Sequence, residues 1–397
     1  MDSTYKLTIA GYDHLQEGVY KRSIGSRVVE LKIFKNGELI KQANLSAHPI
    51  SIKRTLQATQ NKITLLCKRL GINPEQLEYN RSSLSLSKKS VYLLLSLKRV
   101  LFEAFIPAQW IIVFKKTNED KWQRIMPEPD VFQADPFIVY RDQKYFIFYE
   151  ELKFEDYHGY LMAAELDIAN KKLINEKIIL KQGYHLSYPN VFEENGTYYM
   201  IPESADNRTV DLFECTDFPY KWEKKQTLLD NIQAVDTTPL KLGENWFLFT
   251  TEIVKGTECN DELSIYKSAD LFNTPFVKIY DEPVISDVEN ARMAGHFLQH
   301  ENNLYRISQN CGKRYGHQAN INRVLQIVGG YKEEKVNTLK PDKGALGYHT
   351  YNQDNDIIVG DMEIVRLDFK FLKRFIGRNF SSAFNKYIKT GGSATHN

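Results

Sequence analysis

Three acidic residues, two of them at matching places in a repeated strand-and-turn pattern, are the first candidates for chemistry. Asp135 and Asp236 lie at the starts of apolar strands, and Glu203 ends the second strand of another unit. Paired carboxylates around a sugar ring perform glycosidic chemistry, because one protonates the leaving oxygen while the other attacks or activates water. We therefore predict that these three residues are catalytic. The alternative is structural, since Asp before Pro or Thr also caps turns.

Further polar residues stand at or near the ends of the predicted inner strands, where packing alone would favour small or apolar side chains. An arginine there suits an anionic group such as a phosphate or a uronic acid carboxylate. The histidines lack the short spacings of metal sites, so we predict no metal and no cofactor. The predicted substrate-binding residues are Glu150, His185, Tyr188, Arg292, His296 and His349.

The elements that must position these residues form an internal repeat. Each unit has an apolar strand, a tight turn, a second aromatic strand and then two more strands, as in YPNVF (188–192), Asn195-Gly196 and TYYMIPES (197–204). An Asn-Gly pair between such strands is a strong hairpin signal. Four strands in about 50 residues is the size of a propeller blade. The predicted strands include Phe276 to Ile285, which is an outer strand of the third unit, and Arg292 to Leu298, which is the inner strand of the fourth unit.

The last unit runs out of strands at Val365, and two unassigned strands precede the first unit. These are QWIIVFKK (109–116) and KWQRIM (121–126). Joining them to the last unit closes a ring and removes exposed sheet edges. The sequence thus predicts a mainly β protein with a five-bladed β-propeller over residues 107–365.

The flanks differ from the repeat. Residues 1–106 read as a small α/β region, with helices at 52–70 and 87–105 and a hairpin over 26–42 that turns at Asn36-Gly37. Residues 366–397 read as a basic amphipathic helical tail. Seven Lys and Arg against one Asp in that tail predict contact of 366–389 with an anionic membrane surface. Packing against the acidic central region is the alternative.

Charge is distributed unevenly along the chain. The net charge of +2 combines basic flanks with an acidic central region. A duplex-binding protein is disfavoured, because the largest part of this chain would repel phosphates. The ten residues that begin the sequence lack an apolar stretch, and the four cysteines are scattered. Both observations favour a reducing, cytoplasmic location, either free or peripheral at the inner face of the membrane.

Six short motifs carry a resemblance to a known family. They are ADPF (134–137), HLSYPNVF (185–192), IPES (201–204), VDTTP (235–239), ARMAG (291–295) and GYHTYN (347–352). The chain resembles the five-bladed propeller at the N-terminus of plant glucosamine inositolphosphorylceramide transferases and related bacterial proteins of surface-polysaccharide clusters. This resemblance implies a role in cell-surface glycan or glycolipid assembly.

A more distant resemblance is to the arabinanase, β-xylosidase and invertase clan, whose acids sit on blades one, three and four. Asp135 and Asp236 match the first two by position, whereas Arg292 stands where the third is expected. We expect a protein that transfers or cleaves a glycosyl unit of a sugar or sugar-phosphate, free or lipid-linked. The alternative is a non-catalytic glycan-binding or scaffold module for a separate glycosyltransferase.

Overall fold

The computed structural model describes residues 4–49, 51–155 and 158–366, and these residues form a mainly β structure. Within those ranges there are three α-helices and 24 strands, and the strands form six four-stranded sheets. No helix in the described part is both long and apolar enough to cross a membrane. The predicted helical tail beyond Arg366 lies outside the described residues.

The N-terminal region is an α/β unit whose sheet has the order β3-β2-β1-β4. The predicted hairpin and both predicted helices are confirmed, whereas the first helix and two short strands were not predicted. Ser51 caps the second helix by accepting a hydrogen bond from the Arg54 N–H, and left-handed Gly71 ends it. The elements are β1 (Tyr5–Ile9), α1 (Leu15–Ile24), β2 (Val28–Lys35), β3 (Glu38–Ser46), α2 (Ile52–Leu70), β4 (Leu77–Glu78) and α3 (Leu86–Phe105).

Five further sheets follow, and the candidate residues lie in or just before their first strands or on their second strands. The chain first forms β5 (Ala108–Lys116) and β6 (Gln123–Ile125). Sheet 1 comprises β7 (Val131–Arg141), β8 (Lys144–Lys153), β9 (Gly159–Asp167) and β10 (Lys172–Leu180). Sheet 2 comprises β11 (Ser187–Glu194), β12 (Thr197–Glu203), β13 (Thr209–Asp217) and β14 (Lys221–Asp230).

The remaining sheets continue the same pattern. Sheet 3 comprises β15 (Ala234–Leu242), β16 (Asn245–Glu252), β17 (Leu263–Ser268) and β18 (Val277–Lys278). Sheet 4 comprises β19 (Leu298–His300), β20 (Asn303–Asn310), β21 (Gln318–Gln326) and β22 (Lys332–Leu339). Sheet 5 comprises β23 (Ala345–Asp354) and β24 (Ile357–Val365), followed by β5 and β6.

Sheet 5 confirms that residues 109–126 complete the last repeat unit. Strand β24 pairs antiparallel with β5 without a register break, from Ile357 opposite Lys116 to Val365 opposite Ala108. Strand β5 then pairs with β6. The two ends of the repeat are therefore joined by backbone hydrogen bonds, and β24 has no open edge.

Two predicted strands are much shorter than expected. In sheet 3 the predicted strand 276–285 is regular only at β18, and its far end meets sheet 3 again at an isolated bridge between Ile285 and Leu263. The residues after Ile285 bond to the N-terminal sheet. The Asn44 N–H donates to Ser286 O (3.0 Å), and Asn44 O accepts from the Val288 N–H (3.1 Å). In sheet 4 the predicted strand 292–298 is regular only from Leu298, since Gly295 has a left-handed φ of 138° at a place where a Cβ would collide with Tyr351 O.

Hydrogen bonds join the first repeat strands of different sheets. The Tyr188 hydroxyl of sheet 2 accepts from the Gly295 N–H of the segment preceding β19 (2.7 Å). Asn352 of sheet 5 donates to Pro136 O of sheet 1 (2.9 Å) and accepts from the His296 N–H (2.8 Å). Polar side chains that are far apart in sequence are thus collected in one region.

The N-terminal unit is attached to sheet 3 by a buried ion cluster. Lys62 of α2 is fully buried, and its Nζ lies 2.9 Å from Asp261 Oδ2 and 2.5 Å from Glu262 Oε1. Arg69 binds both oxygens of Glu262, at 2.6 and 2.8 Å. These carboxylates belong to the segment between β16 and β17, whose Asn260 reaches the candidate site.

Candidate functional site

Asp135, Tyr188 and Asp236 occupy the same place in the first strands of sheets 1, 2 and 3. Each has a left-handed backbone, with φ of 51°, 46° and 50° respectively. Each also lies at a break in register between the first and second strands, which is a β-bulge. A left-handed non-glycine residue costs roughly 1–2 kcal/mol, and bulges redirect side chains. This repeated strain marks the region as the candidate site.

Sheets 1 and 5 together bury a histidine between two carboxylates. The Asp135 N–H donates to Asp361 Oδ2 (2.8 Å), and Asp361 Oδ1 lies 2.7 Å from His349 Nδ1. The other imidazole nitrogen, Nε2, is 3.4 Å from Asp135 Oδ1. The Thr350 hydroxyl lies 2.9 Å from Asp135 Oδ1, and its backbone N–H donates to Asp361. The ring is therefore held on both sides in one orientation.

Burial and neighbouring charges shift the protonation of this group. Burial lowers the pKa of His349, but Asp361 and Asp135 outweigh that effect and the net shift is upward. Burial raises the pKa of Asp135 to about 6, and the nearby Asp236 adds to the rise while His349 opposes it. Asp135 thus exchanges its proton closer to neutral pH than an ordinary carboxyl group does.

A second charged group centres on Arg292, which is 4% exposed. Its guanidinium binds Asp236 through Nε (2.5 Å) and Nη2 (3.1 Å), and Nη2 also lies 3.3 Å from Glu203 Oε2. Its Nη1 donates to Asn260 Oδ1 (3.1 Å), and Asp236 accepts a further bond from Gln309 Nε2 (2.9 Å). The guanidinium that was predicted to bind an anionic ligand is thus engaged by two carboxylates of the chain itself.

Glu203 and Glu150 are buried acids whose pKa values are raised. Burial raises the pKa of Glu203 well above its usual range; Arg292 opposes the rise and Asp236 adds to it. Burial also raises the pKa of Glu150 well above its usual range, with Asp135 and Glu203 adding to the effect. A carboxyl group that keeps its proton at higher pH is suited to donate it to a leaving oxygen.

His185 lies at the edge of the site beside Glu150. Its Nδ1 accepts a hydrogen bond from the Gly159 N–H (3.0 Å), and its Nε2 lies 3.3 Å from Glu150 Oε1. Burial lowers the pKa of His185 to about 4, so the ring is neutral at neutral pH. About a third of its side chain is exposed, which leaves this predicted ligand-binding residue accessible from outside.

An aromatic wall borders the charged groups. The Trp110 ring lies against His349, with a centroid distance of 4.1 Å and an interplanar angle of 31°. Tyr315 meets the same imidazole edge-on at 5.3 Å, and its ring faces the Arg292 guanidinium at 5.2 Å. Tyr315 is 38% exposed. A partly exposed aromatic face beside hydrogen-bonding groups is a surface on which a sugar ring can stack.

His296 and Tyr188 make contacts that favour a structural role. His296 Nε2 lies 3.2 Å from Asn190 Oδ1, and burial lowers the pKa of His296 to about 4. Tyr188 is fully buried, and its hydroxyl lies 2.9 Å from Thr238 Oγ1 while also bonding to Gly295. Their predicted ligand-binding roles stay predictions, although these side chains already join neighbouring strands.

Several site residues were not predicted. Asp361 was the most accessible to prediction, because it is a lone charge within the apolar run IIVGDM (357–362) of a paired strand. The others gave no such signal, since Asn260 and Tyr315 lie in loops and Trp110 resembles an ordinary strand aromatic. The residues that the sequence missed are Asp361, Gln309, Asn260, Thr350, Trp110 and Tyr315.

Asp135, His349 and Asp361 also have the donor types of a metal site. One ligand atom from each of these buried residues lies within 4.8 Å of the others. Carboxylate oxygen and imidazole nitrogen suit a divalent cation. However, the same atoms already bond to one another, and the upward pKa shift of His349 favours the proton over a metal on the ring.

The raised pKa of Glu150 predicts how the free energy of unfolding depends on pH. Between the ordinary glutamate pKa and its raised value, folded Glu150 holds more proton than the unfolded chain does. The free energy of unfolding should therefore fall as pH rises through this window. Glu150→Gln should flatten this slope and raise stability at neutral pH, because the amide has no proton to lose in the buried site. Urea unfolding of both proteins from acidic to neutral pH measures it, and an unchanged slope would contradict the assignment.

The fold and site define a protein of repeated four-stranded sheets with a buried carboxylate cluster at the bulged first strands. The sequence matches the family described as glucosamine inositolphosphorylceramide transferase 1, N-terminal, over residues 122–357. This match covers more than half of the chain, and the chain belongs to that family. The resemblance that the six motifs indicated is thereby confirmed.

Curated relatives carry the same family name. The chain is 29% identical over 230 residues to glucosamine inositolphosphorylceramide transferase 1 of Oryza sativa subsp. japonica. The matched residues make up 56% of this chain and 30% of the relative. It is 27% identical over 200 residues to the Arabidopsis thaliana protein, covering 49% of this chain and 26% of the relative. The chain thus spans less than a third of the length of these relatives.

Solved structures that are similar to part of this chain include a β-xylosidase/α-arabinofuranosidase and an exo-β-1,3-galactanase. One is a β-xylosidase/α-arabinofuranosidase from a compost microbial metagenome, with 13% identity, a TM-score of 0.42, and coverage of 57% of this chain and 83% of that chain. The galactanase comes from Clostridium thermocellum, with 11% identity, a TM-score of 0.40, and coverage of 60% of this chain and 64% of that chain.

Proposed function

We propose that sheets 1 to 5 are the blades of a five-bladed β-propeller whose first strands line a central axis. Support comes from the hydrogen bonds between first strands and from the joining of β24 to β5. In this arrangement the bulges of Asp135, Tyr188 and Asp236 face one end of the axis. The carboxylate cluster would then form the floor of a binding site at that end.

The propeller would act on a sugar or sugar-phosphate during assembly of a cell-surface glycan or glycolipid. The observation that carries this proposal is the cluster in which Asp135 and Glu203 have raised pKa values beside the Arg292–Asp236 ion pair. Membership in a family named for a glucosamine inositolphosphorylceramide transferase supports a sugar as the ligand. Transfer or cleavage of a glycosyl unit is the reaction class that such carboxylates serve.

In this proposal the three predicted acids have different tasks. Glu203 donates its proton to the oxygen that leaves the anomeric carbon. Asp135, as the carboxylate, attacks that carbon or takes the proton of the incoming hydroxyl group. Asp236 acts through Arg292, because both of its oxygens bind the guanidinium that also contacts Glu203. It is therefore a positioning residue as well as a source of negative charge.

The second candidate function is glycan binding without catalysis, as a module for a separate glycosyltransferase. It is favoured by the engagement of Asp236 with Arg292 and Gln309, which leaves this carboxylate little freedom to attack a substrate. Trp110 and Tyr315 would supply the stacking surface in either case.

We place the protein in the cytoplasm or at the inner membrane face, with the tail 366–389 as one contact to anionic lipid.

A turnover test of three variants separates the two functions. The wild-type chain is incubated with nucleotide sugars, sugar 1-phosphates and simple glycosides of glucosamine and related sugars, and products are followed by mass spectrometry. For an enzyme, Glu203→Gln and Asp135→Asn should each reduce turnover about 10²–10⁴-fold, as for loss of a general acid or base. The matched control is Glu252→Gln, because Glu252 ends β16 and pairs with Lys278 and Tyr266.

Binding measurements complete the test. For a binding module, no product forms, but calorimetry detects a ligand whose affinity falls in Trp110→Ala and persists in Glu252→Gln. If the folded wild-type chain neither converts nor binds any of these sugars, the carbohydrate proposal fails. If Glu203→Gln and Asp135→Asn both keep full turnover, the site lies elsewhere.

A further inference from the structure

Helix α3 presents its apolar side to solvent, contrary to the usual arrangement in a globular protein. Eight large apolar side chains on this helix are exposed, with Leu86 at 81% and Leu94 at 72%. A surface helix normally buries its apolar stripe and exposes its polar side. The exposed residues are Leu86, Val91, Leu93, Leu94, Leu95, Leu97, Leu101 and Phe102.

The side of α3 that faces the protein is small or amphipathic. Tyr92 packs against Tyr20 of α1 with a ring-centroid distance of 5.6 Å, and Ser96 is buried. A turn earlier, Lys88 lies 3.9 Å from Glu17 of α1. The helix is thus fixed to the N-terminal unit by its less apolar side. Its 20 residues hold the eight apolar side chains on a rigid rod about 30 Å long.

The charges of α3 indicate what covers this surface. The helix carries Lys88, Lys89, Lys98 and Arg99 against Glu103 alone. Lys98 is exposed and lies one turn from Leu94 and from Phe102, so its ammonium group borders the apolar surface. Long basic side chains lie along apolar surface and reach polar headgroups with their charged ends. An apolar face bordered by Lys and Arg is typical of a helix that lies in an anionic lipid interface.

The chain's own C-terminal segment is a poor occupant on electrostatic grounds. The Arg366 N–H donates to Pro107 O (3.0 Å), so the segment starts beside the end of α3. Residues 367–397 carry six Lys and Arg against Asp368. Two basic elements repel each other, whereas both are attracted to the same anionic surface.

We propose that the exposed face of α3 docks the protein onto an anionic lipid bilayer, with its apolar side chains inserted at the headgroup boundary. This surface lies in the N-terminal unit and is separate from the carboxylate site, so it stands or falls independently of the sugar chemistry. The basic segment after Arg366 would approach the same bilayer and add attraction.

Vesicle co-sedimentation of the full chain tests the proposal. The vesicles contain phosphatidylcholine with or without phosphatidylserine. The wild-type chain should bind the anionic vesicles, and the binding should weaken as salt rises. Leu94→Glu/Leu101→Glu should lower the partition coefficient at least about tenfold. The matched control, Leu325→Glu/Val328→Glu, changes two side chains of similar exposure near the end of β21 and should bind as the wild type does.

Three results would overturn the proposal. The first is equal vesicle binding by the α3 variant and the wild type, with unchanged circular dichroism. The second is a wild-type dimer in analytical ultracentrifugation without lipid that the α3 variant abolishes, which would assign the face to a second copy. The third is tighter binding after truncation at Arg366, which would show that the tail covers α3. A truncated chain whose remaining binding is still lost in the α3 variant supports the proposal.

Discussion

The Arg292→Met variant is expected to lose about 3–5 kcal/mol of unfolding free energy, as when one partner of a buried ion pair is removed. The substitution keeps most of the side-chain volume but leaves Asp236 and Glu203 buried without their cation. The loss should shrink as pH falls, because burial raises the pKa of Glu203 well above its usual range and its protonation removes one of the stranded charges. Chemical denaturation at neutral and acidic pH measures both effects.

Two further variants make this result specific. Arg323→Met removes a surface pair with Glu334, whose side chains are 39% and 47% exposed, and should cost less than about 1 kcal/mol. Adding Asp236→Asn and Glu203→Gln to Arg292→Met removes the stranded charges and should restore most of the stability. A loss at neutral pH no larger than that of the surface control would show that the cluster is not held by Arg292.

The Lys62→Met variant should destabilise the whole described structure by a similar amount, about 3–5 kcal/mol. Lys62 is the fully buried cation between Asp261 and Glu262, and Arg69 can compensate Glu262 but not both carboxylates. Because Asn260 is the neighbour of Asp261 and contacts Arg292, the loop that carries it should loosen as well. Denaturation measures the first effect, and hydrogen exchange of residues 257–262 measures the second.

Lys68→Met is the matched control for this prediction, because Lys68 lies on the same helix and is exposed. It should change stability by no more than about 0.5 kcal/mol. If Lys62→Met instead leaves loop 257–262 fully protected and stability unchanged, the N-terminal unit does not support the site through this ion cluster. Its docking would then depend on backbone contacts such as those of Asn44.

Much of the fold could be predicted because its signals are local. The hairpin that turns at Asn195-Gly196 and the helix at 52–70 follow from turn chemistry and from apolar periodicity. The joining of 109–116 to the last unit followed from counting strands, since an incomplete sheet leaves an open edge. Some predicted strands were too long, as at 276–285, which is regular only at β18 and is followed by Ser286 and Val288 bonding to Asn44 of the N-terminal sheet.

The sequence by itself determined which residue types stand at the strand starts, because the repeat period is visible in short motifs. The repeat alone therefore predicts that Asp135, Asp236 and Arg292 lie near one another. Only the tertiary structure decided their partners. Arg292 binds Asp236 rather than facing an open space, and Asp361 accepts a hydrogen bond from the Asp135 N–H, because these contacts join segments far apart in the chain. Buried charges select partners by distance in space, and spacing along the chain does not encode that distance.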